Sequence, residues 1–167
     1  MFFLNILIGV KKEAVIYVFL LSFSIIIIFL IFYAPIVVNK FKSPSIYILF
    51  SNVCHQKPER TFFLFNFPLA VCSRCTGIYF GFFLGNLFLP ILKRKFIVFP
   101  ELKLIILATI PMALEYSGYI LKLWNSNLLR MISGLSFGLI IPFYLIPSFL
   151  YIFNNKEEKV WKKSQIY

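Results

Sequence analysis

Histidine, cysteine and acidic residues are all scarce in this sequence: one histidine, three cysteines and six acidic residues occur among 167. A single histidine excludes, within one chain, haem ligation by two imidazoles and metal catalysis by several histidines. Three cysteines cannot all pair in internal disulfides, so at least one thiol is free, bound to metal or paired with another chain. The sequence also has no nucleotide-binding glycine loop, serine triad or catalytic carboxylate pair. It therefore assigns no enzymatic reaction.

Long uncharged hydrophobic runs dominate the rest of the chain. Hydrophobic residues make up 60% of it and the mean hydropathy is +0.88, whereas soluble domains are usually about 45–50% apolar. The net charge is +11. Lys and Arg nevertheless stand at the ends of the hydrophobic runs rather than along a soluble face, which argues against nucleic acid as a partner. The composition predicts a protein whose main partner is the lipid bilayer.

Four hydrophobic segments approach or exceed the roughly 20 residues that a helix needs to cross a bilayer. They predict one all-α integral membrane domain over residues 1–167, with spans at 14–38, 72–92, 102–121 and 128–153. Residues 43–75 hold the cysteines and the histidine and contain only short apolar pieces, which predicts an irregular or re-entrant segment between the first two spans. A charged tail follows over residues 154–167.

The distribution of cations predicts the orientation in the membrane. With four spans, both termini and the 93–103 loop share one side, which holds ten Lys and Arg residues against seven on the other. Because cytoplasmic loops are enriched in Lys and Arg, this excess predicts a multi-pass cell-membrane protein with both termini in the cytoplasm.

Gly77, Gly81 and Gly85 lie four residues apart in the second predicted span and so fall on one helix face. A stripe of small residues lets another helix approach closely. The stripe therefore predicts close helix packing, including packing against a second copy in a homo-oligomer.

The predicted topology brings the cysteines and the histidine to one membrane face. Cys54 and His55 follow the far end of the first span, and Cys72 and Cys75 open the second span from that same side. If both termini are cytoplasmic, this face is the extracytoplasmic one.

The same face receives the one carboxylate that lies well inside a predicted span. At about 1.5 Å rise per residue, Glu115 in the third span and Arg130 in the fourth lie at similar depth, which predicts a buried ion pair. The residues expected to line a polar pocket here are Arg60, Arg74, Glu115, Asn127 and Arg130.

A metal site is one interpretation of this cluster. Cys54, His55, Cys72 and Cys75 offer the four nitrogen and sulfur ligands that structural zinc prefers, and Cys-x-x-Cys is a usual half of such sites. The adjacent Cys54 and His55 side chains diverge in regular structure, so both can ligate only from a sharp turn. Otherwise one of the two ligates and the other supports it, or Glu59 or Glu115 completes the ligand set.

Two other interpretations stay open. Cys72 and Cys75 stand at the beginning of a predicted helix with Arg74 between them, and both features stabilise thiolate. With Cys54 as a third thiol, this favours a membrane thiol–disulfide oxidoreductase. Alternatively, the cysteines only brace the fold of a small transporter or scaffold subunit.

A longer pattern extends over roughly residues 50–140. It comprises Cys54-His55-Gln56, Pro58, Arg60, Cys72-Ser73-Arg74-Cys75-Thr76-Gly77-Ile78-Tyr79, Gly81, Gly85, Pro111-Met112, Asn127, Arg130, Gly134 and Gly138. These residues resemble an uncharacterised family of small predicted membrane proteins, domain-of-unknown-function family 2085. The resemblance implies a shared fold and a shared pocket, and it supplies no activity.

Overall fold

The computed structural model describes residues 2–41, 44–92 and 101–164, with side chains described within 14–40, 44–90 and 101–152. The helices are α1 (Phe2–Phe41), α2 (Ser45–Ser51), α3 (Ser73–Leu92), α4 (Leu102–Ile120) and α5 (Asn127–Ser164). Between α2 and α3 lie a 3-10 turn (Pro58–Arg60) and two short strands, β1 (Phe63–Leu64) and β2 (Phe67–Pro68). Most of the predicted 93–103 loop and the last three residues of the predicted tail fall outside the described residues.

The described chain is mostly helical, as the long uncharged runs predict. Two segments of the described residues, Ala14–Lys40 in α1 and Asn127–Ile152 in α5, are long and apolar enough to cross a membrane. The other two of the four predicted spans, 72–92 and 102–121, stay predictions. Large apolar side chains of α1 point outward, among them Val15, Phe19 and Phe29, each at least 60% exposed. Such a surface is unfavourable in water and suits contact with lipid.

α3 and α5 pack together along most of their length, with α4 against α5 and α1 against α3. Gly77, Gly81 and Gly85 face the main chain of α5, while Gly134 and Gly138 face that of α3. A Cβ atom at any of these positions would overlap a carbonyl oxygen of the opposite helix. Close packing along the predicted stripe is thus confirmed, against a helix of the same chain. The homo-oligomer stays a prediction.

The segment over residues 44–72 packs against the C-terminal part of α1 and the first turns of α3. Within it, β1 and β2 pair in antiparallel register with Phe63 opposite Pro68. The two turn residues, Phe65 and Asn66, have φ of 53° and 65°, the left-handed conformation that a type I′ hairpin turn requires. The predicted irregular segment therefore contains a small β-hairpin, which the all-α prediction did not include.

Candidate metal site and arginine cluster

The three cysteines come together where the 44–72 segment meets α3. The Sγ atoms of Cys54, Cys72 and Cys75 all lie within 4.8 Å of one another, and all three thiols are free. Cys72 lies just before α3 and Cys75 in its first turn, so the helix fixes their spacing. The backbone N–H of Cys72 donates a hydrogen bond to the Cys54 Sγ at 3.2 Å. This thiol cluster can hold a metal ion or exchange disulfides.

The surroundings of the thiol cluster are apolar. Cys54 and Cys72 belong to a buried core with Ile31 and Ala34 of α1 and with Phe50 of α2. A thiolate in such surroundings loses hydration, which disfavours its charge unless a cation or a hydrogen bond compensates. Hydrogen bonds from the other two thiols, that of Cys72 first, lower the pKa of Cys54 well below its usual value.

Gln56 holds the Cys54 loop in place. Its Nε2 donates hydrogen bonds to the carbonyl oxygens of Tyr47 at 2.8 Å and Ala70 at 2.7 Å. The backbone of Gln56 has a φ of 49°, a conformation that residues other than Gly rarely adopt. Since Ala70 stands two residues before Cys72, this amide ties the Cys54 loop to the chain entering α3. In the sequence, Gln56 stands out only as part of the family resemblance.

His55 lies outside the thiol cluster. Its side chain is exposed, and its Nδ1 accepts a hydrogen bond from the backbone N–H of Lys57 at 3.1 Å. Adjacent side chains diverge in extended backbone, so burying Cys54 turns its neighbour outward. A ligand role for His55 stays a prediction.

Glu115 of α4 binds two arginines. Arg130 Nε lies 3.4 Å from Glu115 Oε1, and Arg74 donates to Oε2. The structure thus contains the Glu115–Arg130 ion pair that the depth argument predicts. It adds Arg74 as a second partner, because the first turn of α3 places this side chain against the same face of α4.

The remaining predicted pocket residues extend this ion pair into a network. Arg130 donates to the side-chain oxygens of Asn127 at 3.0 Å and Asn125 at 2.6 Å. Arg60 donates to the Tyr119 hydroxyl, and its guanidinium carbon lies 4.3 Å from the Tyr119 ring centroid. Arg130 lies over the same ring at 5.2 Å. We define the arginine cluster as Arg60, Arg74, Glu115, Tyr119, Asn127 and Arg130.

Ser73 joins the thiol cluster to the arginine cluster. It opens α3 between Cys72 and Arg74, and its Oγ donates a hydrogen bond to the carbonyl oxygen of Arg60 at 2.9 Å. The two clusters therefore adjoin at the first turn of α3.

Comparisons with known proteins agree on a family. The family model described as predicted membrane protein (DUF2085) matches residues 54–144, which include both clusters. An uncharacterized protein of Methanocaldococcus jannaschii is 38% identical over 119 residues, covering 70% of this chain and 76% of that protein. An uncharacterized protein of Methanothermobacter thermautotrophicus is 38% identical over 93 residues, covering 54% of this chain and 81% of that protein. No solved structure matches the chain.

Proposed function

The chain belongs to the DUF2085 family of predicted membrane proteins, and we propose that it binds a zinc-type metal ion through Cys54, Cys72 and Cys75. The observation that carries the proposal is the mutual distance of the three Sγ atoms, all within 4.8 Å. With Zn–S bonds of about 2.3 Å, sulfurs around one tetrahedral zinc lie about 3.8 Å apart. Small side-chain rotations therefore suffice to place all three on one ion.

The charge environment supports the same proposal. Three thiolates and a divalent cation leave one negative charge, and burying it in an apolar core requires compensating hydrogen bonds or cations. The backbone N–H of Cys72 donates such a hydrogen bond to the Cys54 Sγ at 3.2 Å.

Three thiolates leave one of the four usual zinc positions for another ligand. Sites that keep such a position open bind water or substrate there, whereas closed sites are structural. His55 is the sequence-predicted fourth ligand, and water or another molecule from outside the chain is the alternative. The proposal concerns metal binding and assigns no reaction.

The proposal includes a topology: α3 and α4 cross the membrane together with α1 and α5. α3 has 20 residues and α4 has 19, and at about 1.5 Å per residue each reaches across a hydrocarbon core of about 30 Å. The ten-to-seven cation balance supports cytoplasmic termini, with the thiol cluster at the extracytoplasmic face.

A labelling experiment tests the orientation. Single cysteines introduced at Lys40 and at Lys159 are treated in intact cells with a membrane-impermeant maleimide, with the parent chain as background. We expect labelling at position 40 without permeabilisation and at position 159 only after it. The reverse pattern would overturn the orientation, and labelling of both or of neither in intact cells would overturn the four-span topology.

Metal analysis of purified protein tests the proposed site. We expect about one zinc per chain in the parent, near-complete loss in Cys72→Ser, and no change in the control Ser51→Ala, which alters an exposed hydroxyl of the same segment. Size-exclusion profiles confirm that each variant remains folded. Metal-free parent protein after purification with and without added zinc would overturn the proposal.

Thiol–disulfide exchange is a second candidate function. The mutual distance of three free thiols, all within 4.8 Å, favours it, because thiol–disulfide exchange needs an attacking thiol close to the disulfide sulfur. Metal-free protein with a Cys72–Cys75 disulfide that titrates reversibly would replace the metal proposal by this one. Metal-free protein with unreactive, reduced thiols would leave the cysteines a structural role.

A further inference from the structure

The arginine cluster has more positive charge than its own carboxylate neutralises. The cluster contains three arginines, Arg60, Arg74 and Arg130. Glu115 is their one acidic partner among the described residues. Both Glu115 oxygens are already used, one by Arg74 and one by Arg130. Cations at a membrane face with little water around them are costly unless an anion lies nearby. The cluster therefore has room for a further negative charge.

Two of the three arginines are placed to share one anion. Arg60 contacts Tyr119 and Arg74 contacts Glu115, and these two residues of α4 are four positions apart. Side chains at this spacing are neighbours on one helix face. The two guanidinium groups therefore contact the same face of α4 at positions about one helical turn apart, an arrangement in which one small anion can lie between them.

Both arginines also have unused hydrogen-bonding capacity. The Nε of Arg74 is buried and has no hydrogen-bond partner among the described residues. Arg60 donates to one neutral oxygen, that of Tyr119, and has no carboxylate partner within the part of the chain that the structure describes. Arg130, by contrast, is buried, donates hydrogen bonds to Asn125 and Asn127, and forms an ion pair with Glu115. Its guanidinium nitrogens already have partners within the protein, so Arg130 is not a candidate ligand for the anion.

We propose that Arg60 and Arg74 bind a phosphate group at this face of the protein. Guanidinium groups pair with phosphate through two parallel N–H···O bonds, and a phosphate offers enough oxygens for both arginines. A phosphate also supplies the charge that Glu115 leaves uncompensated. The site is separate from the thiol cluster, so it stands whether or not the cysteines bind metal.

The phosphate has two chemical sources, a phospholipid headgroup or a soluble phosphate. Apolar side chains are exposed on the loop that follows α4: Leu121 and Leu123 are 67% and 65% exposed, and Trp124, which donates a hydrogen bond to the carbonyl oxygen of Glu115, is 42% exposed. Trp side chains are enriched at the headgroup level of membranes, which suits a lipid headgroup. The experiment separates the two sources.

The protein is purified in a maltoside detergent, because this detergent contains no phosphate. Three compounds are then added in separate titrations, and the thermal unfolding temperature is measured in each. The additions are inorganic phosphate, phosphatidylglycerol, and a diacylglycerol with the same acyl chains but no phosphate. We expect stabilisation by phosphatidylglycerol or by inorganic phosphate and none by diacylglycerol. An effect of phosphatidylglycerol at tenfold lower concentration than inorganic phosphate assigns a lipid, and the reverse assigns a soluble phosphate.

Two variants and a control locate the site. Arg60→Gln is expected to weaken phosphate binding at least tenfold, and Arg60→Lys by a smaller factor because the charge stays while the two-pronged geometry is lost. Lys57→Gln removes one exposed cation from the same segment and should bind like the parent. Arg60→Lys covers the case in which Arg60→Gln does not fold. Equal binding by the parent and a folded Arg60 variant, equal weakening by Lys57→Gln, or no phosphate effect in the parent overturns the proposal.

Discussion

Arg130 Nε lies 3.4 Å from Glu115 Oε1, and both side chains are more than nine-tenths buried. A buried ion pair is favourable only when its geometry and its other hydrogen bonds compensate for lost hydration. Here two asparagines satisfy Arg130, and Arg74 satisfies the second Glu115 oxygen. The carboxylate is therefore the centre of this part of the bundle, because each of its two oxygens pairs with a different guanidinium group.

The first prediction separates the two partners of this pair. Glu115→Gln leaves two arginines without a counter-ion and should lower the free energy of unfolding by about 3–5 kcal/mol. Arg130→Gln should lower it less, because Arg74 still neutralises the carboxylate. Denaturant unfolding in mild detergent measures both. Glu101→Gln, at an exposed ion pair with Lys103, should melt like the parent; an Arg130→Gln loss exceeding that of Glu115→Gln would contradict this account.

The second prediction concerns Gln56. Losing its amide frees the Cys54 loop from Tyr47 and Ala70, so Gln56→Gly should weaken zinc binding about 10–100-fold, the usual effect of groups that orient metal ligands. Gln56→Ala should weaken it at least as much, because Ala also retains the unfavourable positive φ. Competition with a chromophoric chelator measures affinity. If both variants bind zinc like the parent, the amide does not support the site.

The third prediction tests the histidine. Because His55 is exposed and its Nδ1 already accepts the Lys57 N–H, we expect His55→Ala to keep the parent's zinc content and affinity. The same chelator competition, run beside Cys72→Ser, gives the comparison. Loss of zinc in His55→Ala would instead identify His55 as the fourth ligand, as the sequence predicts, and would require the Cys54 loop to rearrange on binding.

The fourth prediction concerns the contact between α3 and α5. Gly81→Ala inserts a Cβ atom against the main chain of Leu135 and Leu139, where no flexible side chain can yield. We expect a loss of about 1–3 kcal/mol or more in the free energy of unfolding. Ala113→Val, which adds carbon atoms at an exposed position of α4, is the matched control. Equal stability of the Gly81 variant and the parent would show that the helices separate easily.

Helix positions could be predicted from the sequence because they depend on length and hydrophobicity. The uncharged runs predict spans at 72–92 and 102–121, and the helices occupy Ser73–Leu92 and Leu102–Ile120. The glycine spacing predicts close packing for the same reason: periodicity fixes which residues share a helix face. The β-hairpin was missed because its strands have two residues each, too few for an alternating pattern.

Side-chain partners were harder to predict than helix positions. Depth along the helices identified Glu115 and Arg130 as a pair, but depth says nothing about how α3 is rotated about its axis. That rotation brings Arg74 to Glu115 and leaves Cys75 beside Cys54. The bridge through Gln56 depends on a positive φ in an irregular loop, which hydrophobic patterning does not encode.

The hydrogen bond from Ser73 to the carbonyl oxygen of Arg60 ties the first turn of α3 to the Arg60 backbone, so this turn positions residues of both clusters. Cys72 and Arg74 flank Ser73, so a shift of this turn moves a proposed metal ligand and a proposed phosphate ligand together. If both proposed sites are occupied, we expect occupancy at one to alter affinity at the other, equally in both directions by thermodynamic linkage. The small hydroxyl side chain of Ser73 thereby ties the positions of the two clusters to each other.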